Sequence, residues 1–462
     1  MRTILLFYLL FVIENLSAQT VVQKLDKAWS AFIKDEQLRH AIVGFSVVDS
    51  KTGKPIFERN AQVGLAPAST QKIITSVAAF ELLGKDYRYK TELGYNGEIK
   101  NGILDGNLYL IGSGDPTLGT WRWPVTKDSV LLLKWLEAVR SAKIKKISGT
   151  VSFDWSRYSY QAIPDGWVWQ DIGNYYGAGA YVLNWKENQF DMKLKSGNQL
   201  NKPVQIISTD RDYVNELKTA RAGSGDNAFA YLPISSGLPL VKGTIPVNEN
   251  SFTISLADPD PIENILISLS WYLQANGIQN HPGESHHSFR NGSSFDYKPI
   301  IISEHWSPNF DSINFYFLRK SVNLYGEALI KTLAYNKTGF GDTESGITVL
   351  LDFLATKGFE KASLNIVDGS GLSPQNRVTT DALVRVLQYG RARSWFPSFY
   401  NALPEYNGMK MKSGSIGGVR AYAGYHKATS GKEYSFCIIV NNFDGPSAEI
   451  VKKMYKLLDA LK

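Results

Sequence analysis

Apolar residues along this chain repeat with two periods, and the changes from one period to the other mark out its sections. Residues 25–38 carry apolar side chains at helical spacing. Residues 42–49 and 55–58 then read as two strands joined through the Gly-bearing turn 50–54, a hairpin. An apolar stretch over 73–83 predicts a helix directly after it. From about 87 to 299 the pattern becomes short alternating runs, such as 91–95, 108–111 and 151–153, separated by Gly, Asn and Pro. Two helical stretches, 125–142 and 262–276, interrupt this β-rich material. Helical spacing returns over 311–334, 344–357 and 379–389. Two strand-like runs, 418–426 and 434–441, face each other across Thr429-Ser430-Gly431-Lys432. The amphipathic run 448–461 follows, with Ile450, Val451, Met454, Leu457, Leu458 and Leu461 on one face.

This order predicts an α/β (α+β) architecture in which the first hairpin and the last strands form one antiparallel sheet flanked by helices. Residues 19–86 and 300–462 would make one body and 87–299 an inserted β-rich unit. At 462 residues and 44% hydrophobic content the chain is large enough for several packed units and too apolar for a disordered protein.

Residues 1–18 read as a secretory signal: Arg2, an apolar run over 4–13, then Asn15-Leu16-Ser17-Ala18. The run is too short to span a bilayer. The expectation is an exported, periplasmic protein with no integral membrane segment after cleavage. A single cysteine, Cys437, leaves no internal disulfide, and its strand-like surroundings suit a buried small hydrophobe. The formal charge of +7 suits an anionic wall polymer or a membrane surface and is also common among ordinary soluble proteins, and no basic run is dense enough for nucleic acid. Six scattered histidines without an H-E-x-x-H, and the lack of a G-x-S-x-G elbow, argue against a metal site, a cofactor-dependent reaction or an α/β-hydrolase.

Candidate chemistry centres on Pro67-Ala68-Ser69-Thr70-Gln71-Lys72. A serine and a lysine three apart at a helix start share one face, so the amine can reach the hydroxyl. The lysine acts as a base only if burial or nearby positive charge lowers its pKa. An isolated S-x-x-K is most simply a helix N-cap followed by a solvated lysine. Ser69 is, however, the only serine in the chain with Lys at +3. Ser321-Val322-Asn323 offers a hydroxyl to relay a proton and an amide to hold a substrate backbone, although S-x-N also occurs at Ser196, Ser307, Ser312 and Ser363. Lys412-Ser413-Gly414-Ser415 opens a strand, where a Lys, a hydroxyl and a small Gly can bind a peptide edge-on and attract a carboxylate. Lys51-Thr52-Gly53, in the hairpin turn ahead of Ser69, and Lys337-Thr338-Gly339, in a Gly-rich loop soon after Asn323, match the last pattern equally well.

The set S-x-x-K, S-x-N and K-[ST]-G in this order is that of β-lactamases and penicillin-binding proteins. With Gly114-Asp115-Pro116-Thr117-Leu118, Gly166-Trp167-Val168-Trp169-Gln170-Asp171 and Asp368-Gly369-Ser370-Gly371-Leu372-Ser373, the chain resembles the class C low-molecular-mass penicillin-binding proteins, the D-alanyl-D-alanine carboxypeptidase and endopeptidase family. The resemblance implies a transpeptidase-type catalytic domain with large insertions, acting on peptidoglycan peptides and acylated by β-lactams. It implies Ser69 as nucleophile, Lys72 as base, Ser321 as proton relay and Asn323 as substrate-amide ligand. Lys412 and Ser413 would meet the substrate carboxylate, and the backbone N–H groups of Ser69 and Ser415 would form the oxyanion hole. Asp171 and Tyr176 would line a pocket for the diaminopimelate side chain. Two other family positions in that pocket fall on Pro374 and Gly417 in place of Arg and Gln, with Arg377 a possible substitute. The alternatives are a class A-like β-lactamase and a non-catalytic wall-binding relative.

Overall fold

The computed structural model describes residues 20–234, 237–281 and 298–462; the proposed signal segment and His286-His287 lie outside them. The central sheet is antiparallel throughout. Its strand order is Glu405–Tyr406, Met409–Ile416, Val419–Lys427, Glu433–Asn441, Ile42–Asp49, Pro55–Arg59, so the two ends of the chain meet in one sheet. Phe45 pairs with Ile438 and Ala421 with Ile439, which fixes the register from the first hairpin across to the strand carrying Lys412.

Period-two alternation in a strand buried on both faces sends successive side chains to different cores. Phe436, Ile438 and Val440 point to one face and pack with Leu25, Trp29, Met454 and Leu457 of the terminal helices Val21–Phe32 and Ser447–Leu458. Cys437 and Ile439 point to the other. There they meet the almost wholly buried helix Lys72–Leu82 and the helices Phe310–Arg319, Asn323–Thr338, Thr343–Thr356 and Thr380–Arg391. Cys437 is fully buried and unpaired, as a small core hydrophobe.

The material between the nucleophile helix and the later helices forms two further packed lobes. One is a four-stranded sheet in the order Ile300–Trp306, Lys90–Tyr95, Leu108–Ile111, Val151–Asp154, covered by helices Asp128–Ser141 and Pro261–Ala275. The other encloses Met192, Leu194, Leu217, Val241 and Ile254 between two three-stranded sheets. The sequence expectation returned the chain to the main body at residue 300. Instead Ile300–Trp306 pairs with Lys90–Tyr95, a strand at the other end of the insertion, and the return comes at Phe310. A strand's partner is set by long-range pairing that local alternation does not encode.

The stretch 311–334, expected as one helical pattern, is two helices, Phe310–Arg319 and Asn323–Thr338. The break is at Ser321, whose φ of +58° is left-handed and non-helical. Apolar spacing continues on both sides of the break, so periodicity alone does not detect it. Among the described residues no helix is long and apolar enough to cross a membrane.

Candidate active site

Ser69 sits in a single 3₁₀ turn, Ala68–Gln71, that leads straight into the helix Lys72–Leu82. Neither Pro67 nor Gln71 makes a side-chain cap, and Ser69 is turned toward Lys72, so the N-cap reading does not hold. The turn is wedged against the strand Met409–Ile416. A Cβ on Gly414 would lie 2.5 Å from the Pro67 carbonyl oxygen, 3.0 Å from the Thr70 nitrogen and 3.1 Å from the Ser69 nitrogen. The glycine expected to make room for substrate therefore makes room for the nucleophile's own backbone.

Lys72 is fully buried. Its Nζ donates to Asn323 Oδ1 at 2.6 Å and to the Ser370 carbonyl at 2.7 Å, and lies 2.9 Å from Ser69 Oγ. Burial pulls the amine down to about 7, against the opposing pull of the Asp368 and Glu327 carboxyls. Asn323 opens its helix, and its Nδ2 donates to the Tyr176 carbonyl at 2.7 Å, tying the insertion to the catalytic body. Ser321 lines the same cavity from the strained corner just before it.

That cavity encloses about 860 Å³. Ser69, Ser321 and Asn323 face it together with Ser413 and Ser415 from the strand edge and Asp171 and Tyr176 from the insertion. The Tyr176 hydroxyl is 3.5 Å from Asp171 Oδ1, and burial raises the Asp171 carboxyl above its usual range. Pro374 and Gly417 also line the cavity. Arg377 is not among the residues that line the cavity: its guanidinium donates to the Pro374 and Asn376 carbonyls.

Lys412 departs from expectation as well. It is 1% exposed and lies behind the cavity wall, its Nζ donating to the Ser413 carbonyl at 2.8 Å. Burial and the neighbouring Lys72 push its amine well below the ordinary lysine value. The three sequence segments are thus brought together, but the lysine of the third stands one layer back. A cation not foreseen, Arg420, reaches the Ser415 hydroxyl from the adjacent strand.

The turn 368–373 shapes the site from behind Lys72. Asp368 is buried, and its carboxyl accepts from Gln71 Nε2 (3.0 Å), Trp167 Nε1 (2.9 Å), the Gly371 and Ser373 N–H groups (2.8 and 2.6 Å) and Asn376 Nδ2 (2.9 Å). Glu327 holds the preceding N–H groups, Gly369 and Ser370, each at 2.9 Å, and burial raises its carboxyl. Together they fix the Ser370 carbonyl to which Lys72 donates. The D-G-S-G spelling is the signal that could have pointed to this, since Asp, Gly and Ser make tight turns with inward N–H groups.

Arg122 and Glu187 form a second missed pair in the cavity wall. Arg122 Nε and Nη2 meet the Glu187 carboxylate at 2.5 and 2.8 Å, and Tyr325 and Thr120 hydroxyls donate to the same carboxylate at 2.6 and 2.8 Å. Glu187 has a φ of +57°, between Lys186 at +53° and Asn188 at +52°. Three successive left-handed residues that are not glycine are costly, and they cluster at functional sites. No local sequence pattern announces them.

Among the described residues, no cluster of His, Cys, Asp or Glu could hold a metal ion.

Comparison with known proteins adds to this geometry. The family model "D-Ala-D-Ala carboxypeptidase 3 (S13) family" matches residues 25–405. A D-alanyl-D-alanine carboxypeptidase of Actinomadura sp. (strain R39) is 25% identical, over 90% of this chain and 81% of its own length. The D-alanyl-D-alanine carboxypeptidase DacB of Haemophilus influenzae is 24% identical, over 90% of this chain and 88% of its own. The crystal structure of penicillin binding protein 4 (dacB) from Haemophilus influenzae superposes with a TM-score of 0.77 at 21% identity, covering 96% of this chain and 99% of that one. The two share one fold.

Proposed function

The chain belongs to the D-Ala-D-Ala carboxypeptidase 3 (S13) family, and from that membership we propose that it cleaves the bond between two D-alanines of a peptidoglycan stem peptide through an acyl-enzyme on Ser69. The observation that carries the reading is a buried amine, lowered to about 7, at 2.9 Å from the Ser69 hydroxyl. A neutral amine has two hydrogens and one lone pair. The Asn323 and Ser370 carbonyl oxygens cannot donate, so they engage the two hydrogens and leave the lone pair for Ser69.

Lys72 then takes the Ser69 proton as Oγ attacks the carbonyl carbon of the penultimate D-alanine. The N–H groups of Ser69 and Ser415 stabilise the developing oxyanion, worth on the order of 3 kcal/mol each at comparable sites. The proton passes through Ser321 to the departing D-alanine nitrogen, the C–N bond breaks, and water later hydrolyses the ester. Asn323 orients the substrate amide. Ser413 and Ser415 bind the terminal carboxylate, with the buried Lys412 amine behind them and the Arg420 guanidinium beside Ser415. Asp171 and Tyr176 receive the side chain of the third stem residue. β-Lactams acylate the same serine, and the curated relatives' names support the carboxypeptidase activity over a β-lactamase. The protein acts after export, in the periplasm, and an endopeptidase activity on cross-linked stems uses the same site.

The test is D-alanine release from a pentapeptide, measured alongside labelling by a fluorescent penicillin. Wild type should do both and Ser69→Ala neither. Labelling that persists in Ser69→Ala would remove Ser69 from the reaction, and β-lactam turnover without D-alanine release would favour a β-lactamase.

A further inference from the structure

The cavity does not end at the nucleophile. At Gln189 and Ser255 its wall is shared with a second hollow of about 450 Å³. Arg122, in the wall of the first, lies 5.4 Å from the ring centroid of Trp121, which lines the second. The two hollows therefore adjoin at Gln189 and Ser255, and the second is lined by residues of the insertion alone.

The chemistry of the far end differs from that of the near end. Trp121 is 53% exposed, with Arg122 beside its ring. Around it, Lys127 and Gln189 offer donors and Asp191 offers acceptors, one carboxylate oxygen of which holds the Ser255 hydroxyl at 2.7 Å. Lys186 is neutralised by Asp128 at 2.9 Å, so the hollow carries no strong charge of one sign. A flat apolar ring bordered by mixed donors and acceptors fits a ligand with one apolar face and a polar rim. A pyranose ring has that character: axial C–H bonds on its face, hydroxyl and acetamido groups at its edge. A charged peptide side chain would call for a single-sign lining, and a purely apolar ligand would leave the polar groups unpaired.

We propose that this second hollow binds an amino-sugar ring of the glycan strand to which the stem peptide is attached, so that the protein reads its substrate as a glycopeptide. This rests on the peptidase reading above, because that reading puts the D-alanine end of the stem at Ser69 and leaves the sugar-bearing end free to reach the adjoining hollow. Three intervening stem residues, at most about 10 Å when extended, lie between the scissile D-alanine and the sugar.

The experiment compares two substrates, a free pentapeptide and the same pentapeptide on an N-acetylated disaccharide, with wild type, Trp121→Ala, Trp121→Phe and Lys127→Ala. Trp121→Ala should lower kcat/KM about tenfold for the disaccharide substrate, mostly through KM, the usual scale for losing one aromatic anchor. Hydrolysis of the free pentapeptide should stay within about twofold on the same scale, Trp121→Phe should recover most of the loss, and Lys127→Ala should give a smaller loss of the same selectivity. Equal losses on both substrates would make Trp121 structural, and no loss on either would leave the hollow outside substrate binding; each overturns the proposal. Independently, titrating the intact protein with the free disaccharide should move the indole N–H resonance of Trp121. An unmoved resonance would refute the sugar site even if wild type proved inactive on the pentapeptide, an outcome that would instead sink the peptidase reading.

Discussion

Gly414→Ala is a sharp structural perturbation because the added methyl meets backbone and not a flexible side chain. Its Cβ would stand 2.5 Å from the Pro67 carbonyl oxygen, where ordinary contact begins near 3.4 Å, and within 3.0 and 3.1 Å of the Thr70 and Ser69 nitrogens. The turn and the strand must separate by about 0.9 Å to relieve it. Forcing a methyl into a packed contact costs about 1–3 kcal/mol, so the fold should survive. The same movement carries Ser69 away from Ser415, its partner in the oxyanion hole, and a misplacement of about 1 Å at a reacting group costs on the order of 100-fold in rate. The assay is the second-order rate constant for acylation by a fluorescent penicillin, run beside circular dichroism to verify folding. We expect a folded protein acylated about 100-fold more slowly. A folded variant acylated within about threefold of wild type would refute the idea that strand and turn are held at a functional distance.

Other outcomes follow from the same geometry. Asp368→Asn puts an NH₂ against N–H donors now bound by the carboxyl, so the unfolding free energy should fall by about 1–3 kcal/mol per unpaired group and acylation should slow; chemical denaturation and penicillin labelling check both. Arg122→Ala strands the buried Glu187 carboxylate and should cost about 3–5 kcal/mol, part of which Arg122→Ala/Glu187→Gln restores, as read by urea unfolding. In Lys412→Ala the preference for a β-lactam with a free carboxylate over its methyl ester should drop by about tenfold, measured as a ratio of acylation rates; an unchanged ratio would assign carboxylate recognition to Arg420 and the serines alone.

What could be read from the sequence follows physical range. The chain-end sheet was legible because its strands alternate strongly and are bounded by Gly-bearing turns, and the Ser69–Lys72 pair because a helix fixes i and i+3 on one face. The burial of Lys412 was not, since a lysine at a strand edge looks alike whether its amine faces solvent or a neighbouring carbonyl. The boundary at residue 300 misses the strand Ile300–Trp306 for a related reason: its partner lies some 200 residues earlier, and pairing at that distance leaves no local trace. The Arg122–Glu187 pair joins residues on separate segments through a left-handed turn without glycine, so neither spacing nor composition marks it. Asp368 stands in the quoted D-G-S-G turn and Glu327 one helical turn after Asn323, but their hydrogen-bond roles depend on which N–H groups the fold turns inward.

The account turns on one amine being neutral where an ordinary lysine is charged. Below about 7 the protonated Lys72 cannot accept the Ser69 proton, and above it the lone pair is free, so the rate must rise with pH through that value. Single-turnover acylation by a fluorescent penicillin, followed across the acid and neutral range with folding monitored at each pH, tests this directly. The account predicts a single-proton rise with its midpoint near 7. A rate that stays flat well into the acid range, or one that climbs only as the ordinary lysine value is approached, would contradict it.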